Sequence, residues 1–99
     1  MKEITVAELK KKLDAGETIH LIDVREPYEH EEYNIGGLLI PLAEIPSQIE
    51  KLKSLEEGDI VFYCRSGNRS TMAQKLVKPF GIENTLSLRG GMNEWQEKS

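Results

Sequence analysis

Cys64 is the one cysteine among the 99 residues, and it stands in "YCRSGNRST", residues 63 to 71, between an apolar run and a helix-like stretch. A thiol does chemistry as its thiolate, which backbone N–H groups, the positive end of a helix dipole and nearby cations all favour. Gly67 permits the positive φ that a loop folded around a sulfur atom requires, and Arg65 and Arg69 bring positive charge. A strand end, a glycine-bearing loop and a helix start therefore predict an anion cradle that holds Cys64 partly as a thiolate, and hence a nucleophile. The plainer role, a buried cysteine acting as a small hydrophobe, fits this polar flanking sequence poorly.

The elements that must position the loop alternate between helix and strand. "TVAE", Thr5 to Glu8, reads as a capping box, and Val6, Leu9 and Leu13 recur at helical spacing over about residues 6 to 15, until Gly16. "IHLIDV", Ile19 to Val24, is the apolar run of a strand covered on both faces. Pro27 starts a short polar helix in "EPYEHEEY". "LLI", Leu38 to Ile40, predicts a brief strand, and Ile45, Ile49, Leu52 and Leu55 form the stripe of another helix. "DIVFYC" is the central strand. The following helix is expected to bury Met72, Ala73, Leu76 and Val77 and to end near Pro79 and Gly81. "TLSL" and "MNEWQEK" supply a last strand and a last helix.

This order implies an α/β domain with a mainly parallel sheet, because parallel neighbours need crossover connections. Ligands of such sheets bind beyond the carboxyl ends of the strands. Three strand ends carry an arginine there: Arg25 in "IDVR", Arg65 in "YCR" and Arg89 in "SLR". With the strands parallel, Cys64 and these arginines share one anion-attracting edge. Arg65 is the strongest functional candidate of the three; Arg25 reads more simply as an ion-pair partner of Asp23, Glu26 or Glu29. Asp23, Arg25 and Arg89 are expected in supporting roles along that edge.

Composition narrows the function. A chain of this length builds one hydrophobic core, so residues 1–99 are expected to form a single domain. Hydrophobic residues at 38% and charged residues at 30% suit a globular protein, and no apolar run reaches the roughly 20 residues that span a bilayer. The N-terminal sequence mixes charge with apolar residues, unlike a signal peptide, so a cytoplasmic location is expected. With 13 basic and 17 acidic residues the net charge is −4, which argues against a dedicated nucleic-acid binder. A lone cysteine makes no internal disulfide, and no cysteine and histidine cluster has metal-ligand spacing.

Three stretches together resemble the single-domain rhodanese-like sulfurtransferases: "LIDVREPYEHEEYNIGG", "VFYCRSGNRS" and "LSLRGGMNEW", in the family's order and over nearly the whole chain. The resemblance implies a three-layer domain with a mainly parallel five-stranded central sheet and helices on both faces. It implies that Cys64 takes a sulfane sulfur from a donor such as thiosulfate, glutathione persulfide, polysulfide or a protein persulfide. The sulfur is then held as a persulfide and passed to a thiophilic acceptor, cyanide or a thiol. The backbone of Arg65, Ser66, Gly67, Asn68 and Arg69, with Ser70 beside it, would form the substrate and anion-binding loop. Partners would be the small-molecule donor and acceptor, with a sulfur-carrying protein as a further candidate; no metal, organic cofactor, nucleic acid or membrane is implied.

The chain departs from the family pattern in "YNIGG", where Asn34 takes the place of a histidine usually regarded as structural and Gly36 that of a proline. That puts local rigidity in question rather than chemistry. His20 and His30 read as an ordinary strand residue and a surface residue, and Gly90, Gly91 and Trp95 as a turn and a packing anchor. Two rivals differ in class. A cysteine phosphatase or arsenate reductase needs five residues between its cysteine and a bidentate arginine; here that position is Ser70, Arg69 comes one residue early, and Tyr63 stands where those enzymes commonly have histidine. The other rival is a non-catalytic interaction module on the same fold, against which Cys64 itself argues.

Overall fold

The computed structural model describes residues 2–55 and 58–97. Its elements in chain order are β1 (Glu3–Ile4), α1 (Val6–Asp14), β2 (Ile19–Asp23), α2 (Pro27–Glu32), β3 (Leu38–Leu39), a 3-10 helix (Leu42–Gln48), α3 (Ile49–Lys53), β4 (Asp59–Tyr63), α4 (Asn68–Val77), a 3-10 turn (Lys78–Phe80), β5 (Thr85–Leu88) and α5 (Gly91–Glu97). The five strands form one all-parallel sheet in the order β1-β5-β4-β2-β3. The fold is an α/β three-layer arrangement, as the alternation of elements implies.

Alternation along β4 divides the core. Ile60, Phe62 and then Cys64 face one side, where they pack with Ile22, Val24, Ile45, Ile49, Leu52, Ala73 and Val77 from β2, the 3-10 helix, α3 and α4. Val61 and Tyr63 face the other, against Val6, Leu9, Leu88 and Met92 of α1, β5 and α5, with Trp95 at the margin. A strand buried on both faces needs an apolar run rather than an alternating one, which is why "DIVFY" reads as it does.

Local signals set the helix starts. The Thr5 hydroxyl accepts from the Glu8 N–H at 3.1 Å, and the Thr5 N–H donates to Glu8 Oε1 at 2.9 Å, the reciprocal capping box expected at α1. Pro27 occupies the first turn of α2. Three points differ from the sequence reading. β1 has no counterpart in the sequence reading; two residues carry no periodicity, and the strand exists through its pairing with β5. The helix expected from Ile45 to Leu55 is split into a 3-10 segment and a short α3, with Pro46 inside the 3-10 part, where it withholds an N–H. Met72 is exposed, and α4 instead buries Ser70, Ala73, Gln74 and Val77. The end of the expected last helix, Lys98, lies outside the described residues.

Candidate active site

The crossover from β2 leads outward to β3, and the crossover from β4 leads the other way to β5. Two adjacent parallel strands whose connections diverge leave a crevice at their carboxyl ends. β2 and β4 are that pair, in register from Ile19 opposite Asp59 to Asp23 opposite Tyr63. Cys64 follows β4 directly, and Asp23 and Arg25 close β2.

Cys64 is only 1% exposed and belongs to the α4-side core, so the chain builds the burial that the polar flanking sequence argued against. The loop folds back over it. Gly67, at φ 112°, turns the backbone so that its N–H donates to Cys64 Sγ at 3.0 Å, and it caps the start of α4. Only glycine holds that conformation without strain. Ser70, one turn into α4, lies 3.7 Å from the sulfur through its hydroxyl. That hydroxyl donates to the Gly67 carbonyl at 3.0 Å and meets the buried Ser87 hydroxyl of β5. Thr71 Oγ1 also donates to the Gly67 carbonyl, at 2.9 Å. A single carbonyl thus takes two hydroxyls and, at 3.1 Å, the Thr71 N–H, which fixes the loop beneath the sulfur.

A second helix start grips the same loop. The Met92 N–H donates to the Cys64 carbonyl at 2.8 Å and the Asn93 N–H to the Arg65 carbonyl at 2.9 Å. These are the unsatisfied first-turn donors of α5, spent on the loop carbonyls. Gly91 makes the approach possible: at φ 53°, a Cβ there would lie 2.4 Å from the Cys64 carbonyl oxygen.

The expected charges are distributed differently from the sequence reading. Arg69 is taken up by Glu29 of α2, to which its guanidinium donates bidentately at 2.8 and 3.1 Å. Arg65 places Nε 3.5 Å from the same carboxylate with its side chain 60% exposed. Glu29 itself is 4% exposed, and Arg69 holds its carboxyl down to about 2, with the Glu26 N–H and Arg65 adding to the effect against the cost of burial. Arg25 is locked on buried Asp23 through Nε at 2.9 Å and Nη2 at 2.8 Å, and donates to the Tyr33 carbonyl at 2.6 Å. It is therefore a structural ion pair with Asp23 rather than with Glu26 or Glu29. Arg89 pairs with Glu3 at 3.0 Å on the exposed edge. Ser66 and Asn68 are exposed at the loop's rim.

Several contributors lay outside the sequence reading. Glu29, Ser87 and the N–H groups of Met92 and Asn93 act on the loop from other elements, and of these the sequence offered only Glu29, as a candidate partner of Arg25. His30 is not a free surface residue: its Nδ1 lies 2.9 Å from Asp23 Oδ2. Asn34 secures the segment whose rigidity was in question, donating to the His30 carbonyl and accepting the Gly36 N–H, each at 2.9 Å. The buried Tyr63 hydroxyl then donates to the Gly36 carbonyl at 2.9 Å.

A lone cysteine cradled by a glycine turn at the divergence of two parallel strands defines a cysteine-based α/β domain. Residues 5–98 match the rhodanese-like domain family model, and the chain belongs to that family. The putative sulfurtransferase YtwF of Bacillus subtilis is 39% identical over 97 residues, covering 97% of this chain and 91% of that protein. The putative sulfur carrier protein YrkF of the same organism is 35% identical over 98 residues, covering 98% of this chain. The chain spans about half of YrkF, 52%. The structure of the human single-domain sulfurtransferase TSTD1 superposes with a TM-score of 0.85 at 27% identity, over 100% of this chain and 98% of that one.

Proposed function

We propose that the protein is a sulfurtransferase in which Cys64 carries the sulfur. The observation that supports it most is the Gly67 N–H aimed at Cys64 Sγ inside a loop clamped by two helix starts. Fixed donors at a sulfur stabilise negative charge on it without reorganising during reaction. As a thiolate, Sγ attacks the outer sulfur of the donor, a new Sγ–S bond forms and the donor's S–S bond breaks. The leaving group departs with the bonding pair, as sulfite from thiosulfate or as a thiolate from a persulfide. A thiol or cyanide then attacks the outer sulfur of the Cys64 persulfide and returns the Cys64 thiolate.

A phosphatase reading has less support. The position of its bidentate arginine is occupied by Ser70, whose hydroxyl is committed to Gly67 and Ser87, and Arg69 is committed to Glu29. The deep burial of Cys64 is the one observation that favours an interaction module instead. Intact mass after incubation with thiosulfate or glutathione persulfide separates the readings: a gain of one sulfur on Cys64 that a thiol removes is expected of the transferase alone. Cys64→Ser should fold and lose transfer, because a serine hydroxyl is too weakly acidic to act here without a general base. Transfer by this variant within about tenfold of the parent would end the proposal.

A further inference from the structure

We infer that Glu29 sets the donor class: by occupying Arg69 and Arg65 it makes the site favour persulfides, which release a thiolate, over thiosulfate, which releases an oxyanion. This rests on the sulfurtransferase reading above. Four arginines gather at the carboxyl edge of the sheet, and each has a carboxylate partner: Arg25 has Asp23, Arg89 has Glu3, and Arg65 and Arg69 share Glu29. The positive edge implied by the sequence is largely neutralised from within.

Thiosulfate places its sulfonate next to the sulfur being transferred, and the sulfite that leaves is a dianion. An arginine fork is the usual protein counterpart of such a group. Arg69 is the arginine with reach, since its side chain is 33% exposed and its charge interacts with Cys64. Both of its terminal nitrogens already donate to Glu29. Recruiting it would leave a carboxylate that is 4% exposed without its strongest partner, and a buried carboxylate without its partner is costly. Protonation does not release it either, because the carboxyl titrates at about 2. Arg65 remains, on a 60% exposed side chain where solvent screens its charge. A persulfide makes no such demand beside the transferred sulfur; what it requires is a donor at the sulfur itself, and Gly67 supplies one.

The test compares kcat/KM for thiosulfate and for glutathione persulfide in the parent, in Glu29→Gln and in the double variant Glu29→Gln/Arg69→Gln. The parent should use glutathione persulfide at least about tenfold better. Glu29→Gln, nearly isosteric and able to keep the Glu26 N–H contact, should raise thiosulfate kcat/KM about tenfold, mainly through KM, and move the persulfide value by less than about threefold. The double variant should return to the parental ratio, since the freed guanidinium is gone. A purely structural staple would instead lower both donors together. The inference is overturned by a parent that prefers thiosulfate, or by Glu29→Gln that leaves the ratio unchanged or lowers both values. A parent that prefers thiosulfate overturns the inference even should the variants fold poorly. If neither donor loads sulfur onto Cys64, the sulfurtransferase reading falls and takes this inference with it.

Discussion

Arg25 stands at the site with its guanidinium taken up by the fold. Its guanidinium spends Nε and Nη2 on Asp23, reaches the Tyr33 carbonyl, and lies 5.7 Å from the centre of the Tyr63 ring. Burial opposes its charge, but the Asp23 hydrogen bonds more than offset this and raise its affinity for the proton. Arg25→Ala would leave Asp23, fully buried, without its guanidinium partner. The loss should be about 3–5 kcal/mol, read from urea unfolding, with the sulfur-loading rate of the folded fraction within about threefold of the parent. A large loss of that rate in folded protein would instead place Arg25 in the reaction. At this scale Cys64 and Gly67 were legible because a lone thiol before a glycine turn has few structural explanations. Glu29 and Ser87 were not, since a carboxylate in a polar helix and a serine in a strand have many.

At the scale of elements, two helix starts converge on one loop from opposite faces of the sheet. α4 presents its first turn beneath the sulfur, and α5 donates two N–H groups to the carbonyls of Cys64 and Arg65. Gly91 is where this arrangement is most sensitive. Gly91→Ala would place a methyl against the Cys64 and Arg65 carbonyls at a φ that alanine resists, so about 2–4 kcal/mol of stability should be lost. Because the clash falls on the loop, sulfur transfer at a temperature where the variant is folded should fall by at least about tenfold; full activity there would mean that α5 only covers the loop. The start of α1 was legible in its capping box and that of α2 in Pro27. The buried face of α4 was not, because it faces Thr85 and Ser87 of β5 and answers them with Ser70 and Gln74. A search for apolar residues at helical spacing selects Met72 there, and the polar contacts that win appear only once β5 is in place.

For the molecule as a whole, the same groups that shape the site should shape the dependence of stability on pH. Glu29 ionises at about 2 when folded against an ordinary value near 4.5, so its contribution is complete above about 4.5 and is lost as pH falls through 2. The full contribution at neutral pH is up to about 3 kcal/mol. Tyr63 behaves in the opposite sense: burial, with the charge of Asp23 beside it, raises its phenol above the ordinary 10. Its contribution is present below pH 10 and is eroded as the unfolded chain ionises above that. Urea midpoints taken from pH 2 to 11 should therefore show a plateau between about 5 and 9.5 and fall on both sides. Glu29→Gln should be less stable than the parent by a margin that is largest on the plateau and closes as pH approaches 2. Tyr63→Phe should lose about 1–2 kcal/mol on the plateau, with its hydrogen bond to Gly36 gone, and should fall less steeply above pH 10. A gap between parent and Glu29→Gln that stays constant from pH 7 to 2 would show that the carboxylate is not held by Arg69 in solution. That result would also remove the electrostatic basis for the donor preference, because a Glu29 with an ordinary acidity would leave Arg69 free for an incoming oxyanion.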